Sequence, residues 1–204
     1  MLLLITETAA YDEAALSRLL NALPPLRKEK AEQAKHRGAR TSCILGYALI
    51  SHAARLLLPD AELGDFLFGD RGKPHLPDPR LSFSLSHTAQ GVAVAATTAN
   101  IQIGLDLESV RPLRSSLLHD FTSEAEYAAI VGADDPEGQA IALWTQKEAE
   151  AKRTGYGIGQ DLRSIRLQSN ATTELSLGGV RHMLTLTPCT ELPPIRYVMP
   201  SDLL

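Results

Sequence analysis

Aromatic residues make up only 5% of this 204-residue chain, and tryptophan occurs once. Base stacking on aromatic side chains is therefore a poor basis for function here. Excess positive charge is also missing. The formal net charge is -4, which gives no global attraction to nucleic acid or to an anionic membrane. Any anion site must be built from a local basic cluster. Two cysteines, Cys43 and Cys189, make neither a disulfide framework nor a metal-binding spacing. The expected compartment is the reducing cytoplasm. The apolar start, MLLLI, is too short for a signal sequence, lacks a basic lead and runs into Thr6 and Glu7. No run reaches transmembrane length. There is no short-period repeat, no low-complexity tract, no Walker A sequence and no Rossmann glycine pattern.

Apolar residues reach 44% and charged residues 22%, enough for a sizeable core in a globular protein. The expected class is α+β, with two halves of similar make-up, 1–98 and 99–204, meeting near Thr97–Asn100. In the first half, Leu2–Thr6 reads as a strand and Asp12–Ala22 as an amphipathic helix ending at Pro24-Pro25. Arg27–Arg40 is a basic island, expected as a mostly solvated helix face. Cys43–Leu58 reads as a buried helix, with His52 a core or edge residue. Asp70–Pro74 is a turn displaying Lys73. LSFSLS at Leu81–Ser86 alternates strictly, so Leu81, Phe83 and Leu85 face a core. Gly91–Thr97 is a plausible partner strand.

The second half opens on the clearest strand, Ile101–Glu108, with Gln102, Gly104, Asp106 and Glu108 on its polar face, where Gly104 is expected to clear space beside Asp106. Ser123 with Glu126 fits a capping box for a helix to about Val131. An acidic loop at Gly132–Gly138 precedes a helix containing WTQKEAEAK, Trp144–Lys152, which stops near Gly155. After Gly155-Tyr156-Gly157 the chain is expected to turn strand-like, with strands at Ser164–Leu167, Leu175–Leu177, His182–Leu186 and Ile195–Met199 and a poorly ordered tail from Ser201.

Two features carry chemistry. Residues four apart share a helix face, so Trp144, Glu148 and Lys152 form one stripe. Asp106 and Glu108, two apart in a strand, project from one face. The three carboxylates, Asp106, Glu108 and Glu148, have no cysteine or histidine cluster beside them. An all-oxygen set of this kind prefers a hard cation, Mg2+ or Mn2+, over zinc. Such a cation leaves positions for phosphate oxygens, and Lys73, Lys152, His87 and Arg40 would suit the phosphates. A serine hydrolase built on Ser86 and His87 is not expected, because no nucleophile elbow is present.

These pieces, in order, resemble the 4′-phosphopantetheinyl transferases of the pseudo-dimeric type, the class that activates surfactin synthetase and similar carrier proteins. The matching segments are Gly72-Lys73-Pro74, Phe83–His87, Ile103–Glu108, Ser123–Tyr127 and Trp144–Ala149, with Lys152 and Gly155 following. They span roughly residues 68–160, and the length is similar to compact bacterial members acting on acyl carrier proteins. The resemblance implies two similar halves with coenzyme A in the cleft between them. It implies that Asp106, Glu108 and Glu148 hold Mg2+ on the coenzyme A pyrophosphate. Lys73, Pro74, Ser86 and His87 would line the coenzyme A site, with Asp106 and Lys152 at the pyrophosphate. Glu126, Glu148 and Lys152 become the candidate catalytic residues, with Glu126 a candidate base and Lys152 neutralising the leaving group. Two departures stand out. Ser84 occupies a position where asparagine is usual. Ser42 stands where an arginine is frequent, which moves the expected 3′-phosphate contact to Arg40, with Arg37 in reserve. The expected reaction is transfer of phosphopantetheine from coenzyme A to a serine of an apo acyl or peptidyl carrier protein, by a monomer. The alternatives are a non-catalytic coenzyme A-binding module and a Mg2+-dependent phosphohydrolase. A docking patch for the carrier protein is expected at Arg111 and Arg114, beside Leu113 and Leu117.

Overall fold

The computed structural model describes residues 1–156 and 161–203. Strand β1 (Leu2–Glu7) is followed by helices α1 (Glu13–Asn21), α2 (Pro25–Glu32) and α3 (Arg37–Leu57). A short hairpin, β2 (Leu67–Phe68) and β3 (Pro74–His75), leads to β4 (Ser82–His87) and β5 (Gly91–Thr97). Then come β6 (Gly104–Ser109), α4 (Ser115–Phe121), α5 (Glu124–Val131) and α6 (Pro136–Thr154). The chain closes with β7 (Ala171–Leu177), β8 (Val180–Thr187), β9 (Ile195–Tyr197) and α7 (Pro200–Leu203).

The helices start where their sequences offer caps. Asp12 accepts from the Ala15 amide at 2.7 Å, and Asp135 from the Gly138 amide at 3.0 Å, each satisfying an amide the helix cannot. The second cap, with Pro136 behind it, moves the start of α6 into the expected acidic loop. Ser123 and Glu126 form the expected reciprocal box. The basic island is mostly solvated, as expected, but it is carried on two helices. It breaks at 33–36 between α2 and α3, and Arg27 is buried with its guanidinium 4.5 Å from the Phe66 ring centroid.

One sheet has the order β4-β5-β1-β9 and another the order β6-β8-β7. Helix α3 covers the first sheet, where Ile44, Leu45 and Leu49 join Leu4, Val92, Val94, Ala96 and Phe83 in one core. The opposite face supplies Leu3, Ile5, Ala93 and Ala95 to a second core, shared with Leu105, Leu107, Leu184 and Leu186. Strand β5 is thus buried on both faces, which is why Gly91–Thr97 is apolar throughout instead of alternating. Its small side chains on one face let the second sheet approach. Helix α6 covers the other side of β6.

The expected boundary at 98/99 needs correction at the chain's end. Strand β9 lies parallel to β1, and Leu203 joins the first core. The Thr6 hydroxyl donates to the Val198 carbonyl at 2.7 Å. Residues 195–203 therefore pack with the first half, and the tail expected to be loose is helix α7. Two further corrections are local. Ser164 closes a 3-10 turn (Leu162–Ser164) instead of opening a strand, and the strand expected from Ile101 begins at Gly104. The chain was expected to turn strand-like after Gly155-Tyr156-Gly157, and residues 157–160 lie outside the described residues.

Candidate active site between the two halves

The polar face of β6 is pressed against α6. At Gly104 a Cβ would run into the Ala149 carbonyl and lie 2.7 Å from the Arg153 amide nitrogen. Glycine here does not clear space for a ligand. It lets the helix backbone touch the strand, so that Glu148 and Lys152 arrive over Asp106.

The free edge of β6 lies along β4. The Leu105 amide donates to Ser84 Oγ at 2.9 Å. Two residues on, Ser86 Oγ donates to Asp106 Oδ1 at 2.9 Å. Lys152 Nζ reaches the same oxygen at 2.7 Å and Ser86 Oγ at 3.0 Å. One carboxylate oxygen thus joins both halves and α6. The other, Asp106 Oδ2, is buried and has no hydrogen-bond partner among the described residues. A buried carboxylate oxygen without a donor is costly.

The neighbouring acids feel this charge. Burial pushes the Glu108 carboxyl up, and repulsion from Asp106 adds to it, against partial relief from Arg111. Burial raises Glu148 too, followed by Asp106, with Lys152 offsetting and Glu108 adding a further push. Arg111 Nη1 donates to Glu108 at 3.2 Å at the exposed margin. Arg114 is also exposed, with Leu113 and Leu117 partly covered beside it. Among the described residues, no three histidine, cysteine or acidic side chains stand close enough to form a finished metal cage. The expected set of Asp106, Glu108 and Glu148 shares one field without being closed around a point.

Lys73 bridges the halves. Its ammonium donates to the carbonyls of Ile103 at 2.9 Å and Arg153 at 3.1 Å. Burial, then Arg153, lowers its pKa to about 8. Helix α6 ends beside it at Gly155, in left-handed conformation with φ 76°, a position that favours glycine. Between them lies a cavity of about 220 Å³, lined by Arg71, Lys73, Pro74, Phe83, Leu85 and Lys152 among others. It combines apolar walls with three cations. Arg71 also stacks over Tyr156 at 3.7 Å. His87 stands at the end of β4, where partial burial and then the Lys152 charge hold its imidazole below the usual value.

Arg40 and Arg37 are elsewhere, at the start of α3. Both hold Glu13, at 3.2 Å and 2.9 Å. A cavity of about 430 Å³ beside them includes Arg37, Thr41, Tyr11 and Ala89, and Ala89 follows His87 by two residues. Glu126 is not brought to Asp106. Its Oε2 accepts from the Ser123 amide at 2.7 Å and from Lys147 Nζ at 2.9 Å. Burial works to raise its pKa, but the bonds from Ser123 and Lys147 outweigh that and leave it lowered.

The sequence reading gave no role to Lys147 and left that of Ser84 open. Lys147 is fully buried, its ammonium shared between Glu126 and the Phe121 carbonyl at 2.7 Å. It fixes α5 to α6 one residue before Glu148. Ser84 satisfies the edge of β6. Lys147 carried a signal, since a charged residue among Thr145, Ala149 and Ala151 falls on the buried side of the helix. Ser84 carried none.

The fold and the site together present a buried acidic cluster flanked by lysines between two α+β halves, the arrangement of an enzyme cleft suited to an anionic substrate. Comparison with known proteins makes this specific. Residues 102–191 match the 4′-phosphopantetheinyl transferase superfamily. The chain is 27% identical over 164 residues to 4′-phosphopantetheinyl transferase Sfp of Bacillus subtilis, covering 78% of this chain and 72% of that protein. It is 36% identical over 132 residues to the transferase HetI of Nostoc sp., covering 60% and 55%. It is 30% identical over 167 residues to the L-aminoadipate-semialdehyde dehydrogenase-phosphopantetheinyl transferase of Eremothecium gossypii, covering 74% and 58%. The chain is thus similar to 4′-phosphopantetheinyl transferases over most of its length, with the superfamily match confined to residues 102–191.

Proposed function

We propose that this protein transfers the 4′-phosphopantetheine group of coenzyme A to a serine hydroxyl of an apo carrier protein, releasing 3′,5′-ADP. The observation that carries the site assignment is the arrangement about Asp106. One oxygen is bound by Lys152 and Ser86, the other is buried without a donor, and Glu108 and Glu148 are held in its field. An orphaned carboxylate oxygen among mutually repelling carboxylates is a donor set suited to a hard dication. Asp106, Glu108 and Glu148 would hold Mg2+, which supplies charge neutralisation at the pyrophosphate.

The remaining roles follow from the chain's own groups. Lys152 carries its ammonium into the cleft beside Asp106, where it faces the charge that develops on the departing phosphate. The carrier serine oxygen bonds to the phosphorus that carries pantetheine, and the phosphoanhydride bond to 3′,5′-ADP breaks. Glu148 stands in the cleft in the field of Asp106, whereas Glu126 is engaged by Ser123 and Lys147, so Glu148 is the better placed of the two to accept the serine proton. Glu126 is held low and engaged by Lys147, so we assign it to positioning α6. The cavity beside Lys73 and Pro74 would take an apolar or aromatic part of the nucleotide, with Ser86 and His87 toward the phosphates. A 3′-phosphate reaching Arg40 would replace the Glu13 carboxylate. The carrier protein would dock on Arg111 and Arg114 beside Leu113 and Leu117. We expect a cytoplasmic monomer, and no described helix is long and apolar enough to cross a membrane.

The test is intact-mass measurement of apo acyl and peptidyl carrier proteins incubated with the protein, coenzyme A and Mg2+. The expected result is a mass gain of one phosphopantetheine, abolished by EDTA and lowered on the order of a hundredfold or more in rate by Glu148→Ala. No gain on any of several carrier proteins would refute transfer. Near-normal turnover by Asp106→Ala would refute the metal assignment.

A further inference from the structure

His182 lies on β8, fully buried at the seam between the halves. Its Nδ1 is 2.8 Å from the Val180 carbonyl. A carbonyl only accepts, so Nδ1 carries the proton and Nε2 of the neutral ring is an acceptor. Burial holds the imidazole below its usual pKa and so favours that neutral form. Nε2 is 3.0 Å from Thr88 Oγ1, across the seam. The Thr88 hydroxyl therefore donates to His182, and the same oxygen accepts the Gln90 amide at 3.3 Å.

Thr88 directly follows His87 and opens the turn between β4 and β5. That turn is held from several sides. The Thr88 amide donates to the Gly91 carbonyl at 2.9 Å, and the Thr8 amide to the Gln90 carbonyl at 2.9 Å. From the other half, the turn between β7 and β8 packs on it. A Cβ at Gly178 would meet Gln90 at 3.5 Å, and one at Gly91 would strike Leu177. Beside the bonds Ser86 makes to Asp106 and Lys152, His182–Thr88 is a further side-chain hydrogen bond from the second half, and it is made just beyond His87 at the end of β4.

We propose that His182 is a positioning residue for the coenzyme A site. Through the Thr88 hydroxyl it fixes where His87, and behind it Ser86, face the substrate phosphates across the cleft. This rests on the transferase reading above. The bond joins two neutral groups in a buried place, so it contributes direction and registry more than charge.

The experiment compares Thr88→Val, which keeps the shape and removes the hydroxyl, with Thr88→Ser, which keeps the hydroxyl. Coenzyme A affinity is measured by calorimetry with Mg2+, and turnover by carrier-protein mass gain. Thr88→Val is expected to weaken coenzyme A binding about five- to tenfold, the scale of one hydrogen bond. The KM for the carrier protein should stay unchanged, and Thr88→Ser should retain affinity close to the parent. Should Thr88→Val not fold, His182→Gln, with an amide able to accept from Thr88, compared with His182→Leu gives the same contrast. Equal coenzyme A affinity with and without the bond, even where melting temperatures differ, would overturn the proposal and reduce His182 to a structural seam residue. Failure of the unaltered protein to bind coenzyme A would instead overturn the transferase reading beneath it.

Discussion

Replacing Gly104 by alanine adds one methyl group and should disable the site without touching a charged residue. The new Cβ would fall on the Ala149 carbonyl, 2.7 Å from the Arg153 nitrogen and 2.9 Å from the Ala149 carbonyl carbon. All of these are backbone atoms of α6, so no side chain can swing away. The helix must retreat from β6 by roughly 1 Å or more to restore ordinary contact. Overpacking of this kind costs about 1–3 kcal/mol, and a rigid backbone neighbour puts it at the upper end. For a chain of this length, about 3 kcal/mol lowers the melting temperature by roughly 6–12 °C. The same retreat carries Lys152 off Asp106, now 2.7 Å away, so coenzyme A affinity falls as well. Thermal unfolding by circular dichroism and coenzyme A calorimetry read the two effects. Gly38→Ala, where an added Cβ meets nothing within 4 Å, is the control and should be neutral or slightly stabilising. A Gly104→Ala protein that melts within about 2 °C of the parent and binds coenzyme A normally would refute the packing argument.

Ser84→Ala leaves the Leu105 amide buried without its acceptor and should cost about 1–3 kcal/mol in urea unfolding. An unchanged midpoint would show that another acceptor replaces the serine. Lys147→Met removes a buried ammonium from Glu126 and the Phe121 carbonyl. The change leaves the Phe121 carbonyl without its donor and the part-exposed Glu126 without its partner, at a cost of about 1–3 kcal/mol, so a stability equal to the parent would count against its role in fixing α5 to α6. Lys73 predicts a pH dependence. Its folded pKa is about 8 against 10.5 unfolded, so between these values the unfolded chain binds more protons and stability rises with pH. The penalty for burying the charged amine is fully present below pH 8 and is relieved above it. The difference in urea midpoint between the parent and Lys73→Met should shift toward the parent from pH 7.5 to 9.5. A flat difference would place the lysine's titration at its ordinary value.

What was legible in the sequence was what depends on local pattern. The capping box at Ser123 and Glu126 needs only residues three apart, and it is present. The alternation in LSFSLS gave β4 and its core face, because strand period is fixed by backbone geometry. Glu148 and Lys152 were placed on one helix face by spacing alone. What failed depends on contacts far apart in the chain. Nothing within Ile195–Met199 shows that it lies beside Leu3–Ile5, where it pairs in parallel. Gly104 was read as open space because a single strand carries no trace of the helix that will cover it. Glu126 was offered as a base from its place in a motif. Against burial, its carboxyl is held low first by the Ser123 amide and then by Lys147, and the second of these contacts joins two helices.

The two kinds of information meet at Asp106. Its position on a strand face was readable, but its energetic state was not. In the folded chain it has one oxygen stabilised by Ser86 and Lys152 and the other without a partner among the described residues, with two further acids raised by burial and then by its charge. Such a cluster is unfavourable for folding alone, because each carboxylate is desolvated and repelled. It persists because elements around it are held by other means. The shared apolar core places β6 against the first sheet, Gly104 brings α6 down, and Lys73 ties the end of that helix to the other half. Strain at the acids therefore does not relax by moving the strands apart. It is relieved by a cation or by protons. A protein built this way should be stabilised by Mg2+ before any substrate is added, and that gain should vanish in Asp106→Asn while its fold persists. Thermal shift against Mg2+ concentration without coenzyme A measures it. A parent protein whose melting temperature ignores Mg2+ would mean that the acids meet the metal only together with the pyrophosphate.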